Sequence, residues 1–241
     1  MNRSARRLDP ATKAGATKAG AAKAGDRIRE TATRLFYREG IRAVGVDEIV
    51  RRAGATKPSL YRSFESKDEL AAAYLRDWDG AFWERFEAAV AAHPGEPRLQ
   101  LRLFVQRLAK RMRQPGYRGC ALTNAAVEYP QAGHPARLVA VANKRRLRRR
   151  LAQMAAAMGA RQPRLLGDGL ALLLEGAFAS CQLFRSAGPA DALARVVDQL
   201  IDAALVGSAP AAATVPAARV PAGRAPRVRV ARARLDRAGA R

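Results

Sequence analysis

The stretch from Val44 to Leu70, VGVDEIVRRAGATKPSLYRSFESKDEL, constrains the fold more than any other part of the sequence. Apolar residues at helical spacing give residues 46–53 an inward face, and Gly54 then allows a sharp turn. Thr56 is a suitable N-cap for a second helix, and Pro58 suits the first turn of that helix. These features predict two short helices that meet across a glycine-containing turn.

The second helix of this pair has one apolar side and one polar side. Leu60 and Phe64 are four residues apart, so both can pack on the preceding helix. The opposite side carries hydroxyl, ammonium and guanidinium groups, which bond to DNA phosphates and base edges. A plain helical hairpin with solvated charge is the alternative interpretation. The candidate DNA contacts from this pattern are Thr56, Lys57, Ser59, Tyr61 and Arg62.

A third helix is predicted directly after this unit. Ser66 is an expected N-cap, with Glu69 at the third helical position, which is a capping-box pattern. Lys67 would place an ammonium group and free backbone N–H groups beside the same phosphate strand. Lys67 is therefore a further candidate for DNA contact.

Helical periodicity extends over most of the remaining chain. Strand-like alternation of β-branched residues is missing outside the C-terminal tail. The pattern predicts an all-α fold in which residues 26–70 form an N-terminal three-helix, helix-turn-helix domain. Residues 71–208 are predicted to form a larger helical domain behind it. The predicted helices span residues 26–39, 46–53, 57–64, 67–92, 97–114, 119–129, 135–158, 163–186 and 189–206.

Positive charge is concentrated at the two ends of the chain. The sequence has 44 Lys and Arg against 21 Asp and Glu, a formal net charge of +23. Residues 1–25 contain ATKAG-type repeats and residues 209–241 are rich in Arg, Pro and Ala. The repeats have no large residue to bury, the C-terminal segment is interrupted by prolines, and both segments are predicted to be disordered basic arms. Such arms either aid solubility or add nonspecific contacts to DNA.

Several classes of protein are excluded by what the sequence lacks. No run of about 18 apolar residues and no secretory signal is present, which predicts no membrane span and a cytoplasmic, nucleoid-associated protein. With only Cys120 and Cys181, neither a disulfide framework nor a structural zinc site is expected. No P-loop, G-x-S-x-G or HExxH motif occurs. We therefore predict no cofactor, no metal site and no enzymatic activity.

The motifs of residues 28–70 together are similar to a known pattern. They include the spacing of Ala32, Phe36 and Gly40, then VDEI, AG, KPSLY, Phe64 and SKDEL. This segment resembles the DNA-binding domain of TetR/AcrR-family transcriptional regulators, apart from Gly45, where the family often has Ser or Thr. Gly is an acceptable N-cap. The resemblance implies DNA contact, mostly to phosphates, by Thr56, Lys57, Pro58, Ser59, Tyr61 and Lys67.

Two segments near the C-terminus are predicted to form a dimer interface. A single helix-turn-helix contacts too few base pairs to be selective, so such domains usually act in pairs. Residues 169–184 and the last helix have wider apolar faces than a surface helix requires. The resemblance also implies that the last two helices pair between copies, although a purely internal core is the alternative. The candidate interface residues are Leu172, Phe178, Val197, Leu200 and Ile201.

Aromatic residues on the long fourth helix indicate an effector pocket. Trp78, Phe82 and Phe86 share a face with spacings of four, and Phe104 follows on the next helix. Ordinary core packing is the alternative, but the resemblance implies a ligand cavity among these helices for a mainly apolar or aromatic effector. Cys120 begins a predicted helix beside Arg118 and could react with an electrophile; a buried, inert thiol is the alternative.

The sequence thus favours a ligand-responsive repressor that binds a palindromic operator in double-stranded DNA as a homodimer. A small apolar or electrophilic effector would release it. The alternative is an architectural nucleic-acid-binding protein that is dominated by its basic tails. Competition with random duplex DNA separates the two, because only a regulator keeps a preferred site.

Overall fold

The computed structural model describes the backbone of residues 10–184 and 188–206, and the side chains of residues 23–184 and 188–206. Within these ranges the secondary structure is helical and contains no strand, which confirms the predicted all-α fold. A short 3-10 turn at Pro189–Ala192 precedes the last helix. The helices are α1 Pro10–Glu39, α2 Val46–Arg52, α3 Lys57–Ser63, α4 Lys67–Ala91, α5 Pro97–Met112, α6 Ala121–Glu128, α7 Pro135–Ala157, α8 Pro163–Leu183 and α9 Leu193–Leu205.

The first helix begins earlier than the periodicity predicts. The sequence pattern places its start at Asp26, whereas α1 begins at Pro10. The ATKAG repeats consist largely of Ala and Lys, which are strong helix formers and extend a helix that is already nucleated. The predicted basic arm over residues 1–25 is therefore helical from Pro10. Residues 1–9 and the predicted tail over 209–241 lie outside the described residues.

The first three helices close around a small apolar core. Ile28 and Leu35 of α1, Ile49 of α2 and Leu60 of α3 are all buried. Their burial follows the periodicity that predicts these helices, because each element presents one apolar stripe to the others. This core fixes α3 with its opposite side outward.

The remaining helices build a larger body behind α4. Helices α7 and α8 approach closely at Gly167, where a β-carbon would lie 2.7 Å from the backbone nitrogen of Ala152. Buried apolar side chains form one continuous core from Ile28 to Ile201. The division into domains at residues 70 and 71 therefore stays a prediction. No helix among the described residues has the length and apolar character needed to cross a bilayer.

Candidate DNA interface and ligand cavity

The turn between α2 and α3 has the geometry that its sequence predicts. Gly54 has a φ of +57°, a conformation that favours glycine. The Thr56 hydroxyl accepts a hydrogen bond from the Ser59 backbone N–H at 3.3 Å, which confirms Thr56 as the N-cap of α3. Leu60 is fully buried and Phe64 is partly buried, so the apolar side of α3 faces the core.

Lys67 begins α4, and the other six predicted DNA contacts lie on α3 or at its N-cap. Most are exposed on its outer side, whereas Ser59 and Lys67 are half-buried. Tyr61 has 52% of its surface exposed, which is high for an aromatic residue. The exposed members of this group are Thr56, Lys57, Pro58, Tyr61 and Arg62. Their contact with DNA stays a prediction.

An arginine of α1 holds the turn in place. The Arg27 Nε donates to the Ala53 carbonyl at 3.2 Å, and its Nη2 donates to the Gly54 carbonyl at 3.3 Å. These carbonyls follow α2, where backbone acceptors have no partner within the helix. Sequence reasoning missed Arg27, because no local pattern connects a residue of α1 to the end of α2.

The two candidate lysines differ in their surroundings. Lys57 lies 2.8 Å from Asp47, and this hydrogen bond raises the pKa of Lys57. Both side chains are largely exposed, so the pair is weak and a DNA phosphate can replace the carboxylate. Partial burial lowers the pKa of Lys67, which has no ion pair within the described part of the chain. Ser66 caps α4 by accepting from the Glu69 N–H at 3.1 Å.

A cavity of about 130 Å³ lies among α4, α5, α6 and α8. Four of the five residues predicted for an effector pocket line it, namely Trp78, Phe82, Phe104 and Cys120. The remaining lining residues are Arg85, Ala88, Arg107, Leu108, Arg111, Tyr117, Leu122 and Phe178. The use of this cavity by an effector stays a prediction.

Phe86 and Phe178 differ from their predicted places. Phe86 was predicted to line the pocket, but it is 1% exposed and packs behind the cavity wall, with its ring centroid 4.8 Å from that of Phe104. Phe178 was predicted at a dimer interface, but it is 4% exposed and lines the cavity. Both residues lie on apolar stripes. The periodicity of such a stripe predicts which face of a helix is buried, but not which neighbouring helix covers that face.

Three arginines stand in the cavity wall. Arg85 comes from α4, and Arg107 and Arg111 lie one turn apart on α5. No carboxylate lines the cavity, and none of the three forms an ion pair among the described residues. Partial burial, with the neighbouring charge of Arg111 also acting, lowers the pKa of Arg85. The cavity therefore combines aromatic side chains with three arginines that form no ion pair among the described residues.

Cys120 lies in the cavity wall next to a lysine. Its thiol is buried, and the Lys144 Nζ lies 3.4 Å from the Cys120 Sγ and 2.5 Å from a Glu175 carboxylate oxygen. Cys181 is half-buried and donates to the Phe178 carbonyl at 3.2 Å. Burial raises the pKa of the Cys181 thiol, so this group stays protonated.

Tyr37 connects α1 to the cavity wall. Its ring stacks on Trp78 with centroids 4.8 Å apart. Its hydroxyl accepts from the Arg118 backbone N–H at 2.9 Å and donates to the Gly119 carbonyl at 3.3 Å. Because Gly119 precedes Cys120, Tyr37 contacts two parts of the structure that form the cavity.

The other end of α6 is also tied to the N-terminal helices. The Arg42 backbone N–H donates to a Glu128 carboxylate oxygen at 2.8 Å, and the Arg42 guanidinium donates to the Glu128 carbonyl at 3.3 Å. Arg42 lies in the loop that joins α1 to α2. Both ends of α6 are thus hydrogen-bonded to the elements that carry α3.

One apolar face of α8 is largely uncovered within the described residues. Leu165, Leu172 and Leu183 are between 64% and 77% exposed. Gly169 and Gly176 alternate with the leucines at spacings of three and four, so they share that face. The stripe of alternating large and small residues is suited to close packing of a second helix.

The last helix corrects part of the predicted interface. Val197 and Ile201 are buried within the protomer, so they do not face another molecule. Leu200 is half-buried beside Gly169, and Val196 is exposed next to it. Among the five residues predicted for the interface, Leu172 and Leu200 therefore reach the surface. The apolar stripe on α9 thus includes both the side that is buried in the protomer and the edge at Leu200 that reaches the surface.

The described residues contain no cluster of His, Cys, Asp and Glu that could hold a metal ion.

Comparison with known proteins agrees with the resemblance that the motifs of residues 28–70 carry. Residues 28–74 match the family model described as bacterial regulatory proteins, tetR family. A crystal structure of a TetR-family transcriptional regulator from Streptomyces coelicolor is 32% identical, with a TM-score of 0.69. That match covers 76% of this chain and 95% of the Streptomyces chain.

Curated relatives match over a shorter range. An uncharacterised HTH-type transcriptional regulator from Mycobacterium tuberculosis is 40% identical over 50 residues, which are 21% of this chain and 25% of the relative. The transcriptional regulator AcuR from Cereibacter sphaeroides is 32% identical over 91 residues, which are 37% of this chain and 42% of AcuR. The chain thus matches less than half the length of these curated relatives.

Proposed function

The chain belongs to the TetR family of bacterial transcriptional regulators, and we propose that it is a ligand-responsive repressor that binds a palindromic operator as a homodimer. The observation that supports DNA binding most directly is the geometry of α3. Its apolar side is buried, its turn is fixed by Gly54 and Arg27, and its polar side is exposed. A helix held in this way can enter the major groove with its N-terminal residues at the base edges.

Removing one phosphate-binding charge tests this placement of α3. In Lys57→Ala, we expect binding to operator DNA and to random duplex to weaken together, by roughly five- to tenfold at moderate salt. The dependence of affinity on salt should also become shallower, by about 0.9 in the logarithmic slope. Fluorescence anisotropy of a labelled duplex over a range of salt concentrations measures both quantities.

The matched control is Lys110→Ala, which removes the same charge from an exposed site on α5. This control should bind DNA like the parent chain. Equal behaviour of the two variants would contradict the proposed role of α3.

Site preference separates a regulator from an architectural protein. We expect an operator fragment selected from the host genome to stay bound when random duplex is in large excess, because specific sites are typically about 10³ to 10⁷ times tighter. Loss of the fragment under these conditions would favour binding dominated by the basic arms.

We propose that the exposed faces of α8 and α9 pair with those of a second copy. Leu172 and the glycines beside it offer an apolar surface that allows helices to approach closely, and Leu200 with Val196 extends this surface onto α9. Pairing by a two-fold axis would present two copies of α3 to half-sites about one helical turn of DNA apart.

We propose that an effector in the cavity acts on α3 through α6. The residues before α6 line the cavity and bond to Tyr37, and the end of α6 bonds to Arg42. A ligand that binds better when α6 is displaced would therefore also bias the position of α1 and α3.

The Tyr37 hydroxyl provides a test of this coupling. Tyr37→Phe keeps the ring that stacks on Trp78 but removes the hydrogen bonds to Arg118 and Gly119. We expect the effect of the effector on operator affinity to fall by about five- to tenfold, while the effector's own affinity changes less than threefold. Titration of effector into the protein and into its operator complex measures both. An unchanged response would exclude Tyr37 from the coupling.

A covalent effector is the second candidate. The Cys120 thiol lies in the cavity wall, and the Lys144 Nζ lies 3.4 Å from its sulfur. An electrophile acting by this route would add its mass to Cys120 and release the operator. Both effects should be lost in Cys120→Ser, as seen by intact-mass spectrometry and anisotropy.

A further inference from the structure

We infer that the cavity binds a small organic monocarboxylate, with its apolar body among the aromatic side chains and its carboxylate against the arginines. This inference rests on the proposed use of the cavity as an effector site. It changes the expected chemistry of the effector, because the sequence alone predicts an apolar or electrophilic one. The arguments are the charge, the size and the position of the cavity.

The charge of the cavity wall favours an anion. Arg85, Arg107 and Arg111 are three of its lining residues, and no acidic residue lines the cavity. Other arginines of the same region have acidic partners, since Arg102 pairs with Asp198 and Arg113 with Asp191. Arg85, Arg107 and Arg111 have no such ion pair within the described residues, so a ligand can use their charge. A carboxylate would compensate it and match the planar fork of a guanidinium.

The electrostatic environment of Arg85 points in the same direction. Arg85 and Arg111 are both half-buried and repel each other, which contributes to the lowered pKa of Arg85. Two like charges held together at reduced solvation destabilise the empty site. An anion placed between them would remove this repulsion, whereas a neutral or cationic ligand would leave it or increase it.

The size and walls of the cavity limit the rest of the ligand. Its volume of about 130 Å³ is close to the roughly 150 Å³ of an engineered apolar cavity that holds benzene. The rings of Trp78, Phe82 and Phe104 supply flat apolar walls. A single ring or a short aliphatic chain fits this space, and a multi-ring or strongly polar body does not.

The position of the arginines gives the anion a regulatory use. Arg85 lies on α4, which begins beside α3 at Lys67, whereas Arg107 and Arg111 lie on α5. A carboxylate that contacts arginines of both helices would draw α4 and α5 together. Because α4 follows α3 directly, a shift of α4 changes the orientation of α3.

Comparison of acids with their uncharged amides tests the inference in the full-length chain. The probes are benzoate, phenylacetate, hexanoate and octanoate, each paired with its carboxamide, and binding is measured by calorimetry and by the fluorescence of Trp78 and Trp83. We expect at least one acid to bind about ten- to a hundredfold more tightly than its amide. The advantage should shrink as salt concentration rises.

Substitutions then locate the charge effect. Arg85→Gln and Arg111→Gln should each remove most of the preference for the acid and leave amide affinity within about threefold. Arg107→Gln, at the more exposed lining position, gives a further variant should either of the first two fold poorly. The matched control is Arg145→Gln, an exposed arginine of α7 outside the cavity, which should leave the preference intact.

The outcomes separate this inference from the proposed function. The inference of an anion site is overturned if no acid binds, if amides bind as well as acids, or if the cavity variants keep the preference for the acid. If an acid binds as expected but leaves operator binding unchanged, the anion site stands and the proposed effector role fails. If only uncharged ligands bind and release DNA, the effector role stands and the anion inference fails.

Discussion

Leu172→Glu is expected to convert the proposed dimer to monomers and to weaken operator binding by at least about a hundredfold. Leu172 is 73% exposed in the protomer and lies at the centre of the apolar face of α8. In a two-fold interface each substitution occurs twice, so two carboxylates would be buried without partners. Burial of an unpaired charge costs several kcal/mol, which exceeds what a small apolar contact supplies.

The loss of DNA affinity follows from the loss of pairing. A monomer offers one copy of α3 and contacts one half-site, so it forfeits the contribution of the second half-site to binding. Sedimentation equilibrium measures the assembly state, and anisotropy with a full operator and with a single half-site measures affinity. Binding to the half-site should change little, because α3 itself is untouched.

Leu138→Glu is the matched control for this prediction. Leu138 is 55% exposed and lies on α7, not on the apolar face of α8. This variant should remain dimeric and bind the full operator normally. If Leu172→Glu stays dimeric as well, the interface lies elsewhere on the molecule.

The helix-turn-helix could be predicted from sequence because its determinants are local. The cap at Thr56, the turn at Gly54 and the inward position of Leu60 each depend on residues within one or two turns. The Arg27 contact with the same turn could not be predicted, since it depends on how α1 crosses the end of α2. Local chemistry thus specifies the helix-turn-helix, and tertiary packing specifies the Arg27 contact that holds its turn.

The residues of the apolar helix α8 could not be placed from the sequence in the same way. Helix α8 is apolar on nearly every side, so its sequence gives no direction in which to divide cavity, core and outer surface. The structure assigns Phe178 to the cavity and Leu172 to the exterior, although both were predicted for the same interface. The sequence also could not show that Arg85 and Arg111 line the same cavity, because this depends on how α4 packs against α5. Spacing along one helix cannot show which charges from another helix share a site.

Phe86→Ala is expected to lower the free energy of unfolding by about 3 to 5 kcal/mol, the usual cost of deleting a buried aromatic side chain. Phe86 is 1% exposed and its ring meets those of Trp83 and Phe104 at centroid distances of 5.4 and 4.8 Å. Alanine would leave a void that these rings cannot fill without leaving their own contacts. Urea unfolding at a fixed protein concentration measures the change, since stability of a dimer depends on concentration.

The matched control is Tyr61→Ala, which deletes an aromatic ring that is 52% exposed and should change stability by no more than about 0.5 kcal/mol. The pair of variants also decides the role of Phe86. If Phe86 faced the ligand, its loss would change ligand affinity at little cost in stability. A loss of several kcal/mol would instead identify Phe86 as the support of Phe82 and Phe104, which hold the aromatic wall in place.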